Sequence, residues 1–289
     1  MELTHELKTP SVASRRPMRH ELPNMVVWAA IVLFLVLVFF PIVYLLIMSF
    51  KSYGQIIDNF WALPQPWLVS NYSHGWVVIS PYLINTIVLV AASTAVTVVC
   101  ASLGSYAFAR HRFPGRQFFF FSLLGLMMIP STLTLLPRYV LVKSLGMIDT
   151  PWVLILPWAA QSMAFGVLLC RGFFASLPEE LFEAGRMDGA SEWQLYRHVA
   201  VPLSFPILVT LAVVNSFEHY NDYIWPLLTI STKAHQVVSV GLTEFDSFDM
   251  IEFGPKFAAY VIASVPLAAM FLFGMRYFIR GMTAGALKA

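Results

Sequence analysis

Residues 176–203 read SLPEELFEAGRMDGASEWQLYRHVAVPL. This is the longest stretch of the chain that is unfit for hydrocarbon, and the segments on either side of it are fit for little else. Its acids come early, at Glu179, Glu180, Glu183, Asp188 and Glu192. Ser176 followed three positions later by Glu179, with Pro178 between them, is a helix-start signature in which hydroxyl and carboxylate cap orphan N–H groups. Asp188-Gly189 ends that helix, because glycine enters left-handed backbone angles at no steric cost. Ser191 with Gln194 starts a second helix, and Pro202 marks the next segment. The reading is helix, glycine elbow, helix, lying along a membrane surface.

Working outward, the chain of 289 residues is 58% hydrophobic and 12% charged, about half the charged fraction of a soluble domain. Six runs approach or exceed the roughly 20 apolar residues that cross a bilayer: 22–50, 81–109, 117–137, 150–170, 203–228 and 257–275. The expected fold class is therefore all-α, a polytopic membrane protein with six transmembrane helices and the elbow between the fourth and fifth. The first run is too long for a signal-peptide core and lacks a small-residue cleavage site, so it stays as a span. Ala91, Ala95, Ala101 and Ser105 offer the second span a small-residue stripe for close packing. Pro130 should bend the third span and Pro157 interrupt the fourth.

Residues 1–24 form a basic tail carrying Lys8, Arg15, Arg16 and Arg19; residues 25–280 form the six-helix domain, and 281–289 a C-terminal tail. Of the 18 Lys and Arg residues, 13 fall on the side of the two tails and the elbow. By the positive-inside rule both termini and the elbow are cytoplasmic. Cys100 and Cys170 read as buried free thiols, with no disulfide and no metal site. The chain has no GxxxxGK[ST] loop to cradle ATP. It has no catalytic Ser-His or Asp-Asp pair at membrane depth, and no inverted repeat of the kind ion-driven transporters carry. The net charge of +2 gives no argument for nucleic acid.

Glu183-Ala184-Gly185, then Asp188-Gly189-Ala190, then Val199-Ala200-Val201-Pro202-Leu203 resembles the EAA loop of permease subunits in binding-protein-dependent ABC importers. That loop reads EAA, three residues, Gly, nine residues, then I-x-L-P; three residues separate Gly185 from Gly189 here, and nine separate Gly189 from Val199. Gly185 replaces the third Ala, and Val199 and Val201 replace Ile and Leu. Three weaker elements resemble the maltose and glycerol-phosphate branch: Pro66 to Asn71-Tyr72, Tyr220-Asn221-Asp222 to Trp225-Pro226-Leu227, and the tail from Gly281 to Lys288. The resemblance implies a permease subunit in the bacterial inner membrane that forms half of a carbohydrate path. It implies that Glu183, Ala184, Gly185, Asp188, Gly189, Ala190 and Pro202 couple the chain to its motor. The implied partners are a second homologous permease, an ATP-binding subunit dimer that holds ATP and magnesium, and an extracytoplasmic sugar-binding protein. A permease for glycerol phosphate or another small polar solute is the alternative, with an ion-coupled transporter behind it.

Glu218 is the carboxylate placed well inside a span, with Asn215, His219, Tyr220, Asn221 and Asp222 nearby. A charge at the centre of a bilayer helix costs about 2.5–3.5 kcal/mol, so such a group faces a cavity or a partner. Asn215, Glu218, Tyr220, Asn221 and Asp222 are the candidate wall of the path; the competing reading is an interfacial acid that snorkels or pairs with the second permease. Arg138 sits at the outer edge of the third span, which leaves no cation at membrane depth and points to a neutral sugar. His198 reads as a surface residue, and the Phe118–Phe121 run as lipid-facing bulk.

Overall fold

The computed structural model describes residues 21–246 and 252–286. The basic residues of the N-terminal tail, Asp249 and Lys288 lie outside them. The helix α1 (Glu21–Met48) belongs, up to Leu45, to a compact unit of its own. Its side chains are exposed along Met25–Val43.

The second unit opens with α2 (Tyr53–Asp58), started by a capping box between Ser52 and Gln55. The Lys51 side chain is fully buried and donates to the Asn59 and Phe60 carbonyls at 2.9 and 2.7 Å, placing its charge on the negative end of α2. The next helix, α3 (Ser70–Arg110), begins well before the expected residue 81. The Asn-Tyr element explains the early start. Asn71 Nδ2 donates to the Ser49 and Lys51 carbonyls, and the Tyr72 hydroxyl meets Ser49 Oγ at 2.8 Å.

Two short helices, α4 (Arg116–Met127) and α5 (Ser131–Ser144), stand where one third span was expected, and they cross at 102°. Pro130 lies at the break, so it does more than bend the segment. The fourth span, α6 (Trp152–Ser176), runs without interruption through Pro157. Proline leaves the carbonyl four residues earlier without its helical partner, and here the Trp225 indole N–H takes the Val153 carbonyl at 2.8 Å. That substitute bond lets the helix pass through its proline.

The buried stripe of α3 is Ser93, Thr97, Ala101 and Ser105, while Ala91 and Ala95 are exposed. The expected stripe was right in its second half and on the wrong face in its first. Ser105 Oγ donates to the Val167 carbonyl of α6 at 3.1 Å, an approach that small residues permit. Cys170 is buried there, but Cys100 is exposed, correcting the expectation of two buried thiols.

Besides two short 3-10 helices (Lys233–His235 and Leu242–Asp246), the remaining elements are α7 (Glu179–Met187), α8 (Glu192–Leu195), a π turn (Tyr196–Ala200), α9 (Val201–Leu203), α10 (Phe205–Tyr220), α11 (Ile224–Thr229), α12 (Val238–Gly241) and α13 (Phe253–Ala286). The fifth span is thus shorter than expected and stops at Tyr220, before Trp225-Pro226-Leu227. By length and composition the described helices supply four spans, or up to six if each bent pair counts as one. One buried cluster holds Ile79, Leu154, Trp158, Trp225 and Val238; a second holds Tyr106, Phe174, Phe182, Leu195 and Tyr196. Asp149 fastens the loop beyond α11. Its backbone is left-handed (φ 62°), and its carboxylate accepts from the Thr232 hydroxyl and from the Ser231 and Thr232 N–H groups. These bonds, the Thr232 hydroxyl first, hold its carboxyl below the ordinary range.

Candidate functional site

The elbow is built as the sequence suggests in one half and differently in the other. Gly189 has φ 81°; its N–H donates to the Arg186 carbonyl at 3.0 Å, and the Ala190 N–H reaches the Gly185 carbonyl at 2.9 Å. This pair of bonds closes a helix through a left-handed residue. Ser191 and Gln194 form the expected capping box for α8. Ser176 does not cap α7. It is the last residue of α6, its hydroxyl donates back to the Phe173 carbonyl at 2.8 Å, and Pro178 occupies the cap position without a side-chain bond. The π turn ahead of Pro202 had no signal in the sequence.

Gly185 explains its own departure from the EAA pattern. A Cβ there would come within 2.5 Å of Leu195 Cδ2, and Leu195 is 1% exposed. Glycine lets α7 lie directly on α8. We expect Gly185→Ala to lower the melting temperature of the purified complex, at an overpacking cost of about 1–3 kcal/mol. Combined with Leu195→Ala, the loss should be smaller than the sum of the two single losses. Additive losses would show that the two side chains do not meet.

The end of α3 grips this elbow. Arg110 donates to Glu179 and, at 2.6 Å, to the Leu177 carbonyl, and its guanidinium lies 4.1 Å above the centre of the Phe182 ring. Tyr106 donates to Glu192 at 3.3 Å, and His111 stands 3.8 Å from the same carboxylate. Arg186 ties the two helices together through Glu192 at 3.1 Å and Glu179 at 3.2 Å. These two bonds, Glu192 first, raise its already high pKa further. Sequence reading missed Arg110, Phe182 and Arg186 as elbow residues; only the charge complementarity of Arg110 and Glu179 could have suggested the first.

With Phe182 and Leu195 turned inward, Glu183, Ala184, Asp188 and Gly189 face outward. Met187 is 88% exposed, and Leu181 and Trp193 are exposed beside it. Ala190 is half-buried against the second core cluster, and Pro202 starts the turn into α10. His198 is exposed, as read from the sequence, and Phe118, Phe119 and Phe121 are exposed while Phe120 packs under Arg171 at 4.0 Å.

The candidate path residues separate. Glu218, Asn221 and Asp222 line a cleft of about 230 Å³ between α5, α6 and α10. Asn215 does not reach it. It is fully buried among the helices, and neither its side-chain nitrogen nor its oxygen has a partner among the described residues. Tyr220 turns toward α13, where its hydroxyl donates to the Ala263 carbonyl at 2.6 Å. His219 stacks on Trp158 at 5.2 Å and meets Ser162 Oγ at 3.1 Å. Asp222 accepts from the Trp158 indole at 2.7 Å and caps the start of α11 at the Trp225 N–H.

Arg138 is the residue the sequence misplaced. The break at Pro130 turns α5 so that Arg138 lines the cleft, 3.9 Å above the Trp225 ring and donating to Gln161 at 2.6 Å. The premise that no cation stands near Glu218 is therefore wrong.

Residues 101–284 match the family described as binding-protein-dependent transport system inner membrane component. The chain belongs to that family. As a member of this inner membrane component family it is a multi-pass transport subunit of an importer with a binding-protein partner, and it is not an enzyme. It is 30% identical over 263 residues to a probable ABC transporter permease protein, YurM, of Bacillus subtilis (strain 168), covering 91% of this chain and 88% of that one. It is 27% identical over 264 residues to the diacetylchitobiose uptake system permease protein NgcG of Streptomyces coelicolor, covering 90% and 87%. The arabinooligosaccharides transport system permease protein AraQ of Bacillus subtilis is 29% identical over 260 residues, covering 86% and 90%. A bacterial ABC transporter involved in import of the acidic polysaccharide alginate shares the fold, with TM-score 0.79 at 21% identity over 93% of this chain and 100% of that one.

Proposed function

We propose that this subunit imports a carbohydrate, forms half of the translocation path with a second homologous permease, and takes its drive from an ATP-binding subunit dimer docked on the elbow. The observation that carries the coupling role is the elbow itself. Its two helices are tied to each other and to α3 by Arg186 and Arg110, while Leu181, Glu183, Ala184 and Met187 are exposed, with no cover among the described residues. An isolated connector has no use for so rigid a mount under an exposed apolar patch. The carbohydrate assignment rests on relatives whose names specify oligosaccharides. ATP and magnesium belong to the partner subunits in this reading, and the distribution of Lys and Arg supports cytoplasmic termini.

Glu183 is exposed and makes no hydrogen bond or ion pair among the described residues. Its charge sits in the middle of α7, beyond the first turn where the helix dipole acts, and is open to a basic group on the motor subunit. Purification of the tagged chain should bring a second permease and an ATP-binding subunit with it. Glu183→Lys should weaken capture of that subunit more than Glu183→Gln. Equal weakening would mean that shape and not charge is read there, and capture of no ATP-binding subunit by the native chain would overturn the coupling role.

A further inference from the structure

Arg138 and Glu218 line the same cleft without pairing, although each stands in a segment where an unpaired charge is costly. Arg138 has five N–H donors. One donates to Gln161; the shielded Nε has no partner among the described residues, and Nη2 donates to none of them either. The guanidinium carbon lies 3.9 Å from the centre of the Trp225 ring, which restricts where its remaining donors can reach. Glu218 accepts no hydrogen bond among the described residues. Asp222 is different: both of its oxygens are already engaged, by the Trp158 indole and the Trp225 N–H. The cleft is thus lined by a guanidinium with unused donors and by one unused carboxylate, beside the Trp225 indole.

We propose that Arg138 and Glu218 form a saccharide subsite, in which the guanidinium donates to one ring hydroxyl and the carboxylate accepts from another. The inference rests on the carbohydrate reading above and narrows it. A hydroxyl both donates and accepts, so a polyol satisfies the two poles together, as neither a simple anion nor a simple cation can. With one cation and two carboxylates lining it, the cleft carries an excess of negative charge, which opposes a phosphate or uronate. The volume of about 230 Å³ lies below the range typical of drug-sized ligands, which suits a single ring. A second cavity of about 800 Å³ shares Ser131, Arg138, Gln161 and Glu218 with it, offering an oligosaccharide a way to continue. Neutral sugar thus remains the expected class, although a cation now stands in the cleft.

The test uses proteoliposomes holding the complete complex and its binding protein. Uptake is first measured for labelled glucose, arabinose, maltose, cellobiose, glucuronate and glycerol phosphate, then for monodeoxy analogues of whichever neutral sugar is carried. We expect the native complex to carry that sugar about tenfold faster than one particular monodeoxy analogue, the discrimination expected for a hydrogen bond to a charged group. In Arg138→Gln the same ratio should fall about tenfold, to the discrimination the binding protein itself makes, while ratios for hydroxyls elsewhere on the ring stay as they were. Glu218→Gln should collapse the ratio for a different hydroxyl, and Arg138→Lys should keep part of the first. The binding protein's own discrimination enters every arm equally and cancels when the native ratio is divided by the variant ratio. If every analogue slows in proportion in Arg138→Gln, or if Arg138→Gln assembles and carries the sugar with all ratios unchanged, the subsite is wrong while the carbohydrate reading stands. Preference for glucuronate or glycerol phosphate overturns the neutral subsite alone or the carbohydrate reading as well, respectively.

Discussion

Gly189→Pro is expected to abolish recovery of the ATP-binding subunit with the tagged chain and to remove substrate-stimulated ATP hydrolysis, while the apolar helices still insert. Gly189 has φ 81°, and its N–H donates to the Arg186 carbonyl at 3.0 Å. Proline is fixed near −65° and has no N–H, so both features are lost at about 3 kcal/mol or more. The elbow would have to open, taking Glu183 and Met187 away from their places on α7. Bulk alone is not the obstacle, since a Cβ at this position would meet nothing within 4 Å. Gly189→Asn, which enters left-handed angles more readily than other side chains, should therefore retain most of the native recovery, and Gly189→Val should fall between. Native recovery and stimulation in Gly189→Pro would refute the elbow's role, and equal failure of Asn and Pro would show that something other than backbone angle is at stake.

Arg110→Ala should be nearly as damaging, but by a different route. The Arg110 side chain is 7% exposed and bonds both the Glu179 carboxylate and the Leu177 carbonyl while lying over Phe182. Removing it leaves the Leu177 carbonyl without its donor and Phe182 without its cover, a loss of about 2–4 kcal/mol counting the charged hydrogen bond and the cation–π contact. Glu179 is half-exposed and contributes little of this. The expected signature is separation of the two activities. ATP-binding subunit should still be recovered, because the outward face of α7 is intact, but transport per ATP hydrolysed should drop at least severalfold. Arg110→Lys should rescue only part, since an ammonium replaces the planar fork with a point charge. An unchanged transport-to-hydrolysis ratio in Arg110→Ala would mean that α3 does not share the elbow's motion.

The features legible in the sequence were those where chemistry contrasts with an apolar background. Gly189, the Ser191 cap and the long runs are of that kind. What escaped were the faces. In helices apolar nearly all round, periodicity does not distinguish the protein side from the lipid side, so Ala91 and Ala95 were taken for buried packing and Ser93 and Thr97 were passed over. Asn215 and Tyr220 were grouped with Glu218 by closeness in sequence, yet one turn of helix points them in different directions. Arg138 was misread because proline was given a bend where the chain makes a 102° break. Ser176 was read as a cap because its spacing to Glu179 was right, although α6 had not yet ended.

The indole bond to the Val153 carbonyl also has a mechanical meaning. It pins one end of α6 to α11, beside the link from Trp158 to Asp222. The opposite end is seated by Phe174, packed edge-on against Tyr106 in the cluster that also holds Phe182. A helix of 25 residues held in this way is a stiff rod about 37 Å long, and a tilt of about 10° at one end sweeps the other through about 6 Å. A shift too small to undo any single bond at the motor would be magnified, along one unbroken rod, into a displacement wider than the reach of a hydrogen bond at the cleft.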